Sequence, residues 1–506
     1  MRFRRPALSL ACLALICGLL APAFAADPSK PPPPEKPAEK SAPALSLLPA
    51  DSVTHHQITV AGKELHYTAT AGTLALRDDK GEKEADIFYV SFTLDGVTDK
   101  AHRPITYAFN GGPGAAAAYL NIGAIGPRAL DFGRAGRPQP TTAEVRDNPD
   151  TWLPFTDLVF IDPAGTGYSR AVSDEVSKRL WSVDGDLDAL ARIIRLHLTK
   201  SDRLASPVYL VGESYGGFRA ARLAGMLARQ EGVPAAGLLL ISPALEFAML
   251  SGDRFDLLPW ALRLPSYAAV EIAAHTPPTP AALTDAEHFA LGDYLVGLAA
   301  PPASQPENFY AHIAALIGID EATVARWRGR VPPGVYAKAR RRAESEIVSS
   351  YDGTVTAPDP DPASAFAEED PVLDGTIAPF TRAFTAYAQG ELGYRTDLGY
   401  RLLDRDVNRH WQWREGEHGD RHDLGAADAL ARALSLQPHL KLLIAHGLTD
   451  LTTPYMMSRY IVDHLPGNVT AERVTLKLYD GGHMMYLRQG SRHELREDAA
   501  AFYGGG

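Results

Sequence analysis

The run Val208-Tyr209-Leu210-Val211-Gly212-Glu213-Ser214-Tyr215-Gly216-Gly217 decides the reading of this 506-residue chain. Four β-prone apolar residues pass directly into Gly-x-Ser-x-Gly, and the next stretch, Gly217–Arg229, has helical character. A serine held between a strand and a helix must sit on a sharp, strained turn that lifts its hydroxyl clear. The flanking glycines let strand and helix pass closely. The start of the helix also presents the amide of Tyr215 to negative charge developing beside Ser214. The setting predicts a nucleophile at Ser214.

Five further short runs share this character: Ile105–Phe109, Leu158–Ile161, Leu238–Ile241, Leu440–Ile444 and Val474–Leu478. Most are solidly apolar rather than alternating, the pattern of strands buried on both faces of a mainly parallel sheet. Amphipathic stretches fall between them; Asp184–Leu198 carries Leu187, Leu190, Ala191, Ile194 and Leu198 on one face. This βαβα alternation predicts an α/β fold. His56–Leu94 alternates instead, with turns at Ala61-Gly62-Lys63 and Asp78-Asp79-Lys80-Gly81, and reads as an antiparallel meander leading in. Between about Pro243 and Leu436 helical patterns and Pro-rich turns take over. The expected organisation is a signal peptide at 1–25, a Pro-rich linker at 26–50, a core at 51–243 and 437–506, and a helical cap insertion at 244–436.

Arg2, Arg4 and Arg5, the run Ala7–Leu20 and Ala23-Phe24-Ala25 have the layout of a secretory signal cleaved after Ala25. Both cysteines, Cys12 and Cys17, lie inside it, so the exported chain is expected to lack disulfides and Cys metal ligands. A periplasmic or secreted location follows. Lys+Arg 50 against Asp+Glu 61 leaves a net charge of −11 with no sustained basic stripe, which argues against nucleic acid or anionic lipid as partner. The cluster Lys338, Arg340, Arg341 and Arg342 is followed by Glu344 and Glu346 and reads as a solvated helix face. No stretch beyond the signal is long and apolar enough to cross a bilayer. Oligomeric state leaves no trace in the sequence.

A serine nucleophile needs a base and a group that orients it. The last two strand runs lead into Ala445-His446-Gly447-Leu448-Thr449-Asp450 and Tyr479-Asp480-Gly481-Gly482-His483. An acid and a histidine thus follow Ser214 in the order that a parallel-sheet hydrolase requires, which selects Asp450 and His483. His446 also follows a strand but precedes any acid, and Asp480 lies close enough to His483 to shape its turn. Asn110-Gly111-Gly112-Pro113-Gly114, at the end of the first buried run, is a rigid turn suited to supply a second oxyanion donor. Asp162–Arg170 fails as a dinucleotide loop because Arg170 stands at the third glycine position. His418 and His422, in EGEHGDRHD, read as part of a polar cap loop rather than a metal pair. No metal and no cofactor is expected.

NGGPG (110–114), DPAGTGYS (162–169), GESYGG (212–217), HGLTDLTTP (446–454) and GGHM (481–484) together resemble the serine carboxypeptidase family, peptidase family S10. They span almost the whole mature chain in the family's order. The resemblance implies an α/β-hydrolase fold, with a mainly parallel central sheet and a largely helical cap insertion, that releases C-terminal residues from a peptide substrate. It makes Ser214 the nucleophile, Asp450 the acid, His483 the base, and the amides of Gly112 and Tyr215 the oxyanion hole. It also implies that Asn110, the Gly111 amide and Glu213 hold the substrate's terminal carboxylate, and that Met484 lines the leaving-group pocket. Glu213 then needs its proton, which favours acidic pH. The chain departs from the family at Ala115-Ala116-Ala117, where Cys-Ser-Ser or Ser-Ser-Ser is frequent. It departs again at Ala124, where eukaryotic members carry a second glutamate; Arg128 then has two readings, a substitute bidentate carboxylate contact or, more commonly for such a residue, a helix-surface arginine. The missing eukaryotic disulfides fit a bacterial-type member. The alternatives are an esterase or acyltransferase on the same triad, or a binding protein of hydrolase descent.

Overall fold

The computed structural model describes residues 44–137, 144–251, 255–413, 423–467 and 472–504. The expected signal peptide, the linker up to residue 43 and the His418/His422 pair lie outside them. Strand β1 (Ser52–Val60) turns into β2 (Lys63–Arg77) through Ala61 and Gly62, at φ 48° and 78°. Two consecutive positive φ values give the tight hairpin turn whose twist suits an antiparallel pair. Asp78 makes the next turn by accepting the amides of Lys80 and Glu82, each at 2.9 Å, and β3 (Lys83–Leu94) follows. This is the meander expected at His56–Leu94.

Six strands form the parallel part: β4 (Ile105–Phe109), then β7 (Asp157–Ile161), β9 (Val208–Glu213), β10 (Ala235–Ile241), β13 (Lys441–Gly447) and β14 (Val474–Tyr479). Between them β5 (Arg128–Leu130) and β6 (Val145–Asp147) pair separately, and the two-residue β8 (Arg170–Ala171) joins β3. The main sheet runs β1-β2-β3-β7-β4-β9-β10-β13-β14, antiparallel as far as β7 and parallel beyond it. Every residue of β4, β7 and β9 is buried, which explains their unbroken apolar runs. Alternate side chains feed opposite cores. Ile105, Tyr107, Leu210 and Leu240 pack with the helix α1 (Val183–Lys200) and α2 (Tyr215–Met226) side, while Ala108, Val211, Leu239 and Ile241 face the other layer.

From Phe247 to Leu436 the chain is mainly helical. Its long members are α3 (Leu258–Ala273), α4 (Leu373–Gly390) and α5 (Ala427–Leu436), and one short hairpin pairs β11 (Glu346–Val348) with β12 (Thr356–Pro358). It has a core of its own, in which Tyr267 stacks on Tyr336 at 4.0 Å. Arg263 ties α3 to the loop after β13 by donating to the carbonyl of Leu451 (2.9 Å), and to the start of the helical region through the carbonyl of Leu250 (2.7 Å). Helix α6 (Tyr455–His464) lies between β13 and β14, and α7 (Gln489–Gly504) follows β14. Among the described residues no helix is long and apolar enough to cross a membrane. After β4 the chain moves to β7 and then returns to β9 on β4's other side, so a crevice opens at the carboxyl ends of β4 and β9. Asn110–Gly114 and Ser214 both lie there.

Candidate active site

Ser214 follows the last residue of β9 at φ 58°, ψ −123°, a conformation that costs a non-glycine residue free energy and that marks a strained turn. The glycines around it are required by close approach. A Cβ on Gly212 would lie 2.0 Å from the Gly216 oxygen, one on Gly216 2.4 Å from the Phe109 oxygen, and one on Gly217 2.4 Å from Pro243 Cβ. Gly111 is as constrained: its Cβ would fall 2.5 Å from Tyr215 N and 3.0 Å from Ser214 Cβ. The 110–114 turn is thereby packed directly on the serine. No hydrogen bond among the described residues takes up the amides of Gly112 or Tyr215, which leaves both as donors.

Asp450 is fully buried and saturated with donors. Its Oδ1 accepts the amides of Thr452 (2.8 Å) and Thr453 (3.0 Å), and its Oδ2 accepts the Thr453 hydroxyl and His483 Nδ1, both at 2.8 Å. A carboxylate acceptor fixes the proton on Nδ1, so Nε2 carries the lone pair. That Nε2 is buried and has no hydrogen-bond partner among the described residues. No Ser214–His483 hydrogen bond is formed, as is common before substrate tightens such contacts. The two residues are nevertheless held by one segment. Ser214 donates its amide to Ile241 O (3.0 Å) and accepts from Ala244 N (3.1 Å), while Ser242 Oγ donates to the His483 carbonyl at 2.9 Å. Tyr351, from the helical region, accepts the His483 amide at 2.5 Å and sets its ring edge-on to the imidazole. Burial pulls the His483 pKa down, but the Asp450 carboxylate and its hydrogen bond outweigh it and leave it above the ordinary value.

Glu213 is buried beside the serine. Asn110 Nδ2 and the Tyr486 hydroxyl both donate to its Oε2 at 2.6 Å. Burial pushes its pKa up to about 7, against the opposing pull of His483 and the two donors. Met484 is buried next to His483, in the same core as Tyr119, Phe380 and Tyr486. The structure therefore gathers Asn110, Gly111, Gly112, Glu213, Ser214, Tyr215, Asp450 and His483 around the ends of β4, β9, β13 and β14.

Other candidates are engaged elsewhere. His446 Nε2 bonds Ser458 Oγ at 2.7 Å, and burial lowers its pKa to about 4, so it stays neutral. Asp480 pairs with Arg488 at 2.7 Å. The Arg128 guanidinium is taken up by Asp147 and by Glu391 (2.8 Å). Ala124 is buried in apolar surroundings, and the partner of Glu213 is a tyrosine instead of a second carboxyl. Among the described residues no cluster of three His, Cys, Asp or Glu is arranged to hold a metal. Tyr351, Thr453 and Tyr486 were missing from the sequence-based site. Thr453 and Tyr486 lie three residues beyond Asp450 and His483, and that proximity was the only signal available.

A strained serine after a parallel strand, with an acid and a histidine after two later strands, defines an α/β hydrolase. Residues 63–233 match the family model described as serine carboxypeptidase, Peptidase_S10. The match covers the segments of Asn110–Gly114 and Ser214 and ends before those of Asp450 and His483. Among solved structures the chain is similar to Kex1(Δ)p, a prohormone-processing carboxypeptidase from Saccharomyces cerevisiae. The identity is 15%, over 87% of this chain and 91% of that one, with a TM-score of 0.55. It is also similar to proline iminopeptidase from Mycobacterium smegmatis, at 14% identity over 86% and 98% of the two chains and a TM-score of 0.38. No curated protein matches the chain.

Proposed function

We propose that this is an exported serine-type carboxypeptidase that releases C-terminal amino acids from peptides through an acyl-enzyme on Ser214. The observation that carries the reading is the buried Asp450–His483 pair, with its Nε2 unpartnered and its backbone bonded to the same segment as the strained serine. His483 Nε2 takes the Ser214 proton as the hydroxyl attacks the scissile carbonyl, and Asp450 stabilises the resulting imidazolium. The amides of Gly112 and Tyr215 receive the oxyanion, each contributing about 3 kcal/mol. The imidazolium returns its proton to the leaving amine, and water then deacylates Ser214 by the same route.

Terminal-carboxylate recognition is assigned to Asn110, the Gly111 amide and Glu213, with Met484 lining the leaving-group pocket. Both donors to Glu213 use Oε2, so its proton belongs on Oε1, where it can be donated to a substrate carboxylate. The acidic chain and its N-terminal signal pattern support a periplasmic or secreted peptidase that acts on peptides and not on nucleic acid or membranes. The test is release of free amino acid from an N-blocked dipeptide. Ser214→Ala is expected to lower kcat by about 10⁴–10⁶-fold with the thermal midpoint retained. Near-wild-type turnover in that variant, or a wild-type protein that cleaves esters and never the dipeptide, overturns the reading.

A further inference from the structure

Arg219 stands on α2 one turn beyond Tyr215, and it is completely buried. Its Nε donates to Asp186 Oδ2 at 2.6 Å and its Nη2 to Oδ1 at 3.4 Å; Asp186, on α1, is 3% exposed. The remaining arm of the fork does something else. Nη1 donates to the Asn110 carbonyl at 2.5 Å and lies 3.5 Å from the Gly111 carbonyl. The guanidinium also lies over the Tyr215 ring, 4.8 Å from its centroid. One buried cation therefore touches both segments that carry the candidate oxyanion donors.

Peptide planarity gives the contact its direction. In a trans peptide the N–H points opposite to the C=O of the same unit. The Asn110 carbonyl turned toward Arg219 leaves the Gly111 amide pointing away from it, and the Gly111 carbonyl, shared between the Ala115 amide at 3.1 Å and Arg219 at 3.5 Å, leaves the Gly112 amide on the far side of its own peptide. Net stability is a poor reason for such a pair, because replacing a buried ion pair by apolar residues of similar volume is often neutral or stabilising. We propose, on the reading of Ser214 as nucleophile, that the Asp186–Arg219 pair is a positioning device. It locks the 110–112 peptides against α2 so that the Gly112 amide is aimed at the oxyanion before substrate arrives. Asp186 acts by fixing the guanidinium, and Arg219 acts by holding the carbonyls; neither touches substrate.

The test uses the full-length protein and the double variant D186L/R219M, which removes the clamp without stranding a buried charge, beside the single variant Arg219→Lys. With one oxyanion donor misdirected, the double variant is expected to keep its thermal midpoint within a few degrees and lose about 10²–10³-fold in kcat. The loss should be equal for a blocked dipeptide and for an ester without a terminal carboxylate, since both develop the same oxyanion. Arg219→Lys keeps one charged donor and should fall between the two. The decisive readout is the rate ratio of an ester to its thionoester, whose sulfur accepts hydrogen bonds poorly. That ratio should shrink in the double variant, which a general loosening of the fold would not produce. A folded double variant with kcat within threefold of wild type, or one that loses kcat with the ratio unchanged, overturns the clamp. Absence of Ser214-dependent turnover in the wild type would instead sink the nucleophile assignment, so the two failures are separable.

Discussion

At the scale of single residues, the chemistry turns on where protons rest. Glu213 has its pKa pushed up to about 7, chiefly by burial, so it is protonated below that value and ionised above it. If the protonated form is the one that accepts a substrate carboxylate, the KM for a blocked dipeptide is flat below about pH 7. It then rises about tenfold per pH unit above it. Glu213→Gln, a permanent neutral donor, should remove that limb; a KM that still climbs in this variant assigns the titration elsewhere. Tyr486 donates to Glu213 Oε2 and so favours the carboxylate. Tyr486→Phe should move the limb to higher pH by up to about one unit, measured on the same substrate. These side chains show how much of the site was readable from sequence. Ser214, Asp450 and His483 each follow a strand at a recognisable turn, and their roles demand those residue types. Tyr486, Tyr351 and Arg219 serve through distance alone, and a tyrosine or arginine in an ordinary stretch announces nothing about what it will touch.

At the scale of elements, close approach of backbones builds the site. The loop after β4 reaches Ser214 because Gly111, Gly212 and Gly216 carry no side chains. Gly212→Ala forces a carbon against the Gly216 oxygen and should cost about 1–3 kcal/mol or more while displacing the elbow. Thermal unfolding and labelling by a fluorophosphonate check this together. A variant with an unchanged midpoint that labels at the wild-type rate contradicts it. Five of the six parallel strands were legible within a few residues because burial on both faces leaves a nearly uninterrupted apolar run, whereas β14, at the edge of the sheet, showed instead as an alternation with Thr475 and Lys477 exposed. The helical region was legible only in outline. Pro265 and Pro379 sit inside α3 and α4, where the breaker rule puts boundaries, and tertiary packing overrides that local preference.

At the scale of the whole molecule, buried ionisable groups set how stability responds to pH. Burial raises the pKa of Asp162 to about 7, as it does for Glu213, so the stability these acids contribute when neutral is lost as pH rises from about 4 through 7. His197 and His446 are lowered to about 4, again by burial, and their contribution is lost as pH falls from about 6.5 through 4. The two trends oppose each other across one window, so the wild-type midpoint should be nearly level there. Asp162→Asn removes one acid and should raise the midpoint by a few degrees at pH 8, with the gain gone by about pH 4. A calorimetric series showing the same gain at both ends would contradict this balance. The helical region departs after Glu246 and returns at Gly425, and these two residues form an antiparallel bridge, in which the Phe247 amide donates to the Leu424 carbonyl at 3.0 Å and the Ala426 amide to the Leu245 carbonyl at 2.8 Å. Its two ends are therefore about 4.8 Å apart, one strand spacing. Evolution can exchange such a cassette wholesale, and with it the choice of peptide, while the reacting groups stay in register. The loan carries one condition: any replacement must still offer a carbonyl where Tyr351 now receives the backbone of His483.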